Sequence, residues 1–324
     1  MEHWSDYWLS TNALNSFGEG SQSIGYGGLT KKYWKNSLSK VSSPNYKALD
    51  IGTGNGGLAI LLLNVAKELS QNICIDAIDP ADIKPPTDNS SKNNTEIAKR
   101  ITFYPKTYAE NTGLPSNAYQ LVVSQFGFEY SNKEKSLAEI CRLLFEGGHF
   151  FALCHTKESS ITQDSLNGLN VYTYLLKKSP LIPTVELLID LGIKVIPQIG
   201  NDNWHKHPYR KILKKQINWI FSQAREKYNA ACYHLWIEDV YTAIYQVIDN
   251  LKKEYLNKIN ELLRLNVKSL DSHYKRLEEQ VDSSLDERET NKLTLLCKSY
   301  FTHVDINKIY LEEGVETISI HCKK

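Results

Sequence analysis

The run Ala48-Leu49-Asp50-Ile51-Gly52-Thr53-Gly54-Asn55-Gly56-Gly57-Leu58 constrains this chain more than any other stretch. A short β-prone segment enters a turn rich in glycine, and the turn opens into an apolar run. Glycine has no Cβ, so the backbone there can turn tightly and lie directly against a ligand. The helix expected over residues 58–69 is apolar nearly all round and therefore belongs buried against a sheet. Gly52, Gly54 and Gly57 also fit the dinucleotide spacing GxGxxG, in which a pyrophosphate sits on the turn. Asp50 argues against that ligand, because a carboxylate beside a pyrophosphate is repelled. The expected ligand is instead cationic or rich in hydrogen-bond donors. The alternative is a glycine turn that only joins strand to helix.

The surroundings extend the pattern. Residues 41–158 alternate β-like and helix-like runs. Strands are expected over 47–51, 73–78, 101–104, 121–124 and 149–154, with helices over 58–69 and 133–144. Such alternation signals a parallel sheet with right-handed crossovers. Residues 80–99 hold Pro-Pro and a polar run over 88–95, and read as a loop. Residues 159–298 differ. Apolar residues recur at Leu213, Ile217, Ile220 and Ala224, and again from Ile237 through Val240, Ile244, Ile248, Leu251, Tyr255 and Ile259 to Leu262. Both series have the helical step of three or four. Ile193–Ile196 is the one candidate strand in that block. Residues 299–324 return to β character, and two runs flanking Glu312-Glu313-Gly314 read as an antiparallel hairpin.

The loop Asp50-Ile51-Gly52-Thr53-Gly54-Asn55-Gly56 resembles the D/E-x-G-x-G-x-G loop of the class I (Rossmann-like) S-adenosylmethionine-dependent methyltransferases. The resemblance covers residues 47–155 and returns at 299–324. It implies a doubly wound α/β sheet of seven strands in the order 3-2-1-4-5-7-6, the last antiparallel. A large helical insertion then stands between strands 5 and 6. It also implies S-adenosyl-L-methionine as cofactor, whose methionine amine suits Asp50. Gly52, Thr53, Gly54 and Gly56 would then lie along the cofactor. An acid at the end of the second strand accepts the ribose hydroxyls in this family; Asp79 fits that place, with Asp76 as the competing position, and Pro80 follows it. Ala109-Glu110, Leu114-Pro115 and residues 118–124 resemble the family's third and fourth strand motifs, with departures. Tyr108 or Thr107 stands where an adenine-binding Asp is common, and Gln120 replaces the usual Asp. The adenine contact is therefore assigned to the Ala109 backbone and the Glu110 side chain.

Ligands of open α/β sheets lie beyond the carboxyl ends of the strands. The fourth strand ends at Ser124-Gln125-Phe126-Gly127-Phe128-Glu129-Tyr130 and the fifth at Cys154-His155-Thr156. Ser124 and Gln125 are cofactor candidates. Gln125 is also a catalytic candidate, or else a capping side chain. His155 is either a general base for a hydroxyl or amine acceptor, or a structural histidine. Glu129 and Tyr130 either contact substrate or begin the next helix. Aromatic faces attract a sulfonium, so Tyr26, Tyr33 and Trp34 of an N-terminal cover are candidates for cofactor contact, against ordinary packing. The expected division is a cover over 1–40, a cofactor-binding core over 41–158, a helical lid over 159–298 that sets acceptor specificity, and a closing hairpin over 299–324.

Charge balance narrows the partners. A net charge of +1 gives no whole-protein footprint for nucleic acid or an anionic membrane. A basic helix face over residues 205–227 is read as solvated, against the alternative of a surface for an anionic substrate or RNA. Six cysteines without metal-ligand spacing suit a reducing compartment, and His205 and His207 lack a third ligand, so no metal is expected. The N-terminus reads as acidic and aromatic rather than as a signal peptide, and no run spans a bilayer. The expectation is a cytoplasmic enzyme methylating O or N of a small molecule or peptide group, with no DNA, RNA or membrane partner. A dimer through the helical block is the alternative to the lid. An RNA methyltransferase and a cofactor-binding pseudoenzyme are the competing functions. No Asn/Asp-Pro-Pro-Tyr run follows the fourth strand, which counts against exocyclic base amines as target.

Overall fold

The computed structural model describes residues 1–15, 26–85 and 99–324; most of the loop expected over 80–99, with its polar run, lies outside the described residues. Seven strands form one sheet: β1 Asn45–Ile51, β2 Asn72–Asp79, β3 Ile101–Pro105, β4 Tyr119–Gln125, β5 Leu144–His155, β6 His303–Tyr310 and β7 Glu316–Lys323. Their order is β3-β2-β1-β4-β5-β7-β6, as the sequence reading expects. β1 to β5 pair in parallel, while β7 runs antiparallel to both β5 and β6.

The period of two along each strand builds two faces. Leu49, Ile51, Ile78, Val122, Phe150, Ala152 and Cys154 enter one apolar layer. Ala48, Ile73, Ile75, Ala77, Leu121, Val123, Phe151 and Leu153 enter the other. Helices follow from the same sequence logic. After α1 (Glu2–Ser10) and α2 (Gly28–Leu38), α3 (Gly57–Glu68) buries Leu58, Leu61, Leu62 and Val65 in the second layer. α4 (Lys133–Leu143) is capped by the Asn132 side chain, which accepts from the Lys135 amide, and buries Leu137 and Ile140 in the first layer.

Contacts divide the chain into two units, residues 1–163 with 279–324, and residues 164–278. α5 (Ser160–Tyr172) and α9 (Ile259–Ser283) each cross a boundary between them. The second unit has its own core, built from α6 (Leu181–Lys206), α7 (Pro208–Lys227) and α8 (His234–Asp249). Ile217, Ile220, Ala224, Ile237, Val240, Ile244 and Ile248 are all buried there. Ile193–Ile196, the candidate strand, lies inside α6. A segment as short as Ile193-Lys194-Val195-Ile196 fits a helix as well as a strand, and its neighbours decide. Four cations of the basic segment are engaged within their own unit: Arg225 pairs with Glu238 at 2.7 Å, while Arg210, Lys214 and Lys227 lie over the rings of Trp204, Tyr245 and Tyr174. α10 (Glu287–Lys298) returns to the sheet unit through a capping box, in which Asp286 and Glu289 satisfy each other's backbone amides. Among the described residues no helix is long and apolar enough to cross a membrane.

Candidate active site

The strand order reverses between β1 and β4, and the glycine turn leaves β1 at that point. Gly52, Gly54 and Gly56 all have positive φ, at 70°, 53° and 95°. The turn is held from β2: the amides of Gly52 and Thr53 donate to the Ile78 carbonyl at 3.0 and 3.1 Å. It is backed from β4, because a Cβ on Gly52 would stand 2.9 Å from the Cα of Gly127.

Two buried carboxyls face this turn. Asp50 is 1% exposed. Its Oδ2 accepts from the Thr53 hydroxyl at 2.7 Å, and its Oδ1 is buried without a partner. Burial, with Asp79 as a second negative neighbour, pushes its carboxyl up to about 7. Asp79, at the end of β2, accepts from the amides of Gly54 and Ala81, each at 2.8 Å. Burial pushes it up to about 6 against those two amides. Asp76 lies deeper in β2 and is bound otherwise, by Lys47 at 2.6 Å and by the Tyr119 hydroxyl. Only Asp79 of the two acids touches the glycine turn.

The end of β4 closes the other side. Ser124 is buried and structural: its hydroxyl donates to the Ile51 carbonyl at 2.8 Å and accepts from the Phe128 amide. The Gln125 Oε1 accepts from the Trp34 indole at 2.5 Å, while its Nε2 is buried without a partner, beside the Tyr26 hydroxyl. Burial raises the Tyr26 phenol, and Asp50 adds to that shift. Phe126 holds a positive φ of 57°, a conformation non-glycine residues rarely adopt, and its ring stacks on His155 at 4.1 Å. His155 is fully buried, and burial pushes its imidazole down to about 3. The ring is therefore neutral across the physiological range. Glu129 accepts from the His155 amide at 2.8 Å, and burial pushes its carboxyl up to about 7. Tyr130 meets Trp4 edge-on at 5.7 Å.

The structure brings Asp50, Gly52, Thr53, Gly54, Gly56, Asp79, Gln125 and Tyr26 to one end of the sheet. Pro80 follows Asp79 directly and is partly exposed. Ala109 is buried in the first layer, and Glu110 accepts from the Asn132 amide at 2.7 Å, at the start of α4. Trp34 is fully buried in the second layer and reaches the turn only through Gln125; Tyr33 bonds Ser319 and packs on Trp34.

Sequence reasoning missed three participants. Trp8 of α1 lies directly on Gly54, with indole atoms 2.5–2.9 Å from where a Cβ would stand. Asn55 is buried, and its amide nitrogen is within bonding distance of the carbonyls of Trp8, Thr11 and Ala13, while its Oδ1 accepts from the Lys84 amide. Glu279 accepts from the Trp4 indole at 2.8 Å and pairs with His3 at 3.0 Å. Asn55 carried a signal, since a polar residue buried inside a glycine turn needs partners. Trp8 and Glu279 carried none, because their contacts join distant parts of the chain.

Compared with known proteins, residues 49–152 match a family model described as a methyltransferase domain. Among solved structures, the chain is similar to a candidate S-adenosyl-L-methionine-dependent methyltransferase from Methanococcus maripaludis, at 23% identity over 40% of this chain and 57% of that one, with a TM-score of 0.29. It is similar to an S-adenosylmethionine dependent methyltransferase from Mesorhizobium loti, at 17% identity over 40% and 55%, TM-score 0.30. It is also similar to geranyl diphosphate C-methyltransferase from Streptomyces coelicolor A3(2), at 13% identity over 48% and 64%, TM-score 0.35. The chain thus spans less than two thirds of the length of each. No curated protein matches it.

Proposed function

We propose, from the match of residues 49–152 to a methyltransferase domain and from the order of the sheet, that the protein is a class I S-adenosylmethionine-dependent methyltransferase acting at O or N of a small molecule or a peptide group. One observation carries the cofactor fit. Two buried atoms of opposite sense lack partners at the β1 and β4 ends: the Asp50 Oδ1 acceptor and the Gln125 Nε2 donor. An amino-acid zwitterion offers an ammonium to the first and a carboxylate to the second. Unpartnered buried polar groups are costly, which supports a ligand for both. Bound S-adenosylmethionine supplies a methyl group already activated for displacement.

The chain's own groups then have distinct tasks. Asp50 holds the ammonium and Gln125 the carboxylate. Asp79 accepts the two ribose hydroxyls while keeping its bonds to Gly54 and Ala81. Gly52, Thr53, Gly54 and Gly56 present backbone along the cofactor, and Pro80, Ala109 and Glu110 border the adenine. Ser124 fixes the β1 and β4 tips to each other. Tyr26 and Trp34 orient Gln125. Glu129 and Tyr130 border the acceptor. His155, held neutral by burial, positions the acceptor through its stacked partner Phe126 and does not titrate near neutrality. Positioning and exclusion of water account for the rate in such a site. The helical unit of residues 164–278, which follows β5 in the chain, is the part of the protein assigned to acceptor specificity. Six unpaired cysteines support a reducing compartment.

The test is transfer of a labelled methyl group from S-adenosylmethionine to panels of alcohols, amines, carboxylic acids and peptides. Label at O or N is expected. Label only in RNA, or only at carbon, would contradict this reading.

A further inference from the structure

We infer that α1 is an internal competitor of the cofactor: Trp8 occupies the place of the adenosine, so the closed helix and bound cofactor exclude each other. This inference rests on the cofactor assignment above. A helix that merely covers a bound cofactor leaves a layer of space beneath it. Here no such layer exists. The Trp8 indole rests on the Cα of Gly54, with Cζ2, Cη2 and Cε2 at 2.5, 2.7 and 2.9 Å from an ideal Cβ position. The same ring packs with Ala81 and Ile83, which follow Asp79, and with Phe103 of β3. One flat bicyclic side chain thus covers the glycine turn, the loop after the ribose-binding acid and the neighbouring strand. The glycine turn and the residues after Asp79 border the place of the ribose, so the indole blocks the adenosine there, on the Gly54 and Ala81 side.

The helix is held there by dispersed polar contacts. Asn55 binds the carbonyls after Trp8, and the Asp82 amide donates to the Ser5 hydroxyl at 2.8 Å. Glu279 latches the other end of α1 through His3 and Trp4, away from the glycine turn. A ligand that binds only the open form sees its affinity reduced by the open fraction. Weakening the latch should therefore tighten cofactor binding.

Two measurements on the full-length protein decide. In hydrogen exchange with and without S-adenosylhomocysteine, the amides of residues 2–10 should exchange faster when the ligand is bound. Slower or unchanged exchange would overturn the inference. In calorimetry, Glu279→Ala and Trp8→Ala should each bind S-adenosylhomocysteine at least about fivefold more tightly than the parent. Unchanged or weaker binding by both would mean that α1 covers the bound ligand, and would leave the cofactor assignment standing. Absence of binding in the parent and in both folded variants would instead remove the cofactor assignment, and this inference with it.

Discussion

Gly52→Ala is expected to cost about 2–5 kcal/mol of folding stability, and the geometry supplies both parts of that figure. Gly52 has φ +70°, where an L-residue loses roughly 1–2 kcal/mol. The added methyl would also stand 2.9 Å from the Cα of Gly127. Neither partner is a side chain that can rotate away, so the β1 and β4 tips must part, and such overpacking costs about 1–3 kcal/mol. Gly113 provides the control. It has φ +68° but nothing within 4 Å of its Cβ position. Gly113→Ala should therefore lose only the conformational part, about 1–2 kcal/mol. Urea unfolding of both variants, followed by circular dichroism, isolates the overlap as the difference between them. Equal losses would refute the close approach of the glycine turn to Gly127.

Ligand binding should depend on pH through two carboxyls. Asp50 at about 7 and Asp79 at about 6 both lie above their ordinary 3.8, so the fold retains protons that the unfolded chain releases. The unliganded protein should lose stability as pH rises from about 4 to 7 and level off above, while S-adenosylhomocysteine binds more tightly over the upper part of that range. Affinity independent of pH would count against Asp50 as the ammonium partner. Asp79→Ala should weaken S-adenosylhomocysteine about tenfold or more, whereas Asp76→Ala should lower stability through Lys47 and Tyr119 and spare binding; the opposite pattern would mean that the wrong acid was chosen. For His155→Ala, the pH profile of methyl transfer between about pH 5 and 9 should keep its shape, because a group at about 3 does not titrate there. Loss of an inflection near neutrality in that variant would restore His155 as a base.

Much of the sheet was legible because its signals are local. The short β-prone apolar runs of β1, β4 and β5 and the glycine turn after β1 each follow from a few adjacent residues. The expected β5 began at His149, whereas the strand begins at Leu144, because Gly147 and Gly148 interrupt the pattern without ending the ladder. Asp50 and Asp79 were legible from the turn and the strand end. The partnering of Gln125 by Trp34 was not, because it joins residues 91 apart in sequence. The place of α1 was also hidden. A nine-residue aromatic helix states its apolar character but not the surface that it meets. Trp34 is a candidate for cofactor contact because aromatic faces attract a sulfonium; its ring is buried in the second layer, while Trp8 lies on the turn.

The central claim is that the glycine turn with Asp50 and Asp79 binds S-adenosylmethionine and not a dinucleotide. Calorimetric titration of one protein sample with S-adenosylhomocysteine, and of a second with NAD, tests it most directly. The account predicts saturable one-to-one binding of S-adenosylhomocysteine, lost in Gly54→Val, and no heat of binding from NAD. Saturable binding of NAD with no binding of S-adenosylhomocysteine would contradict it.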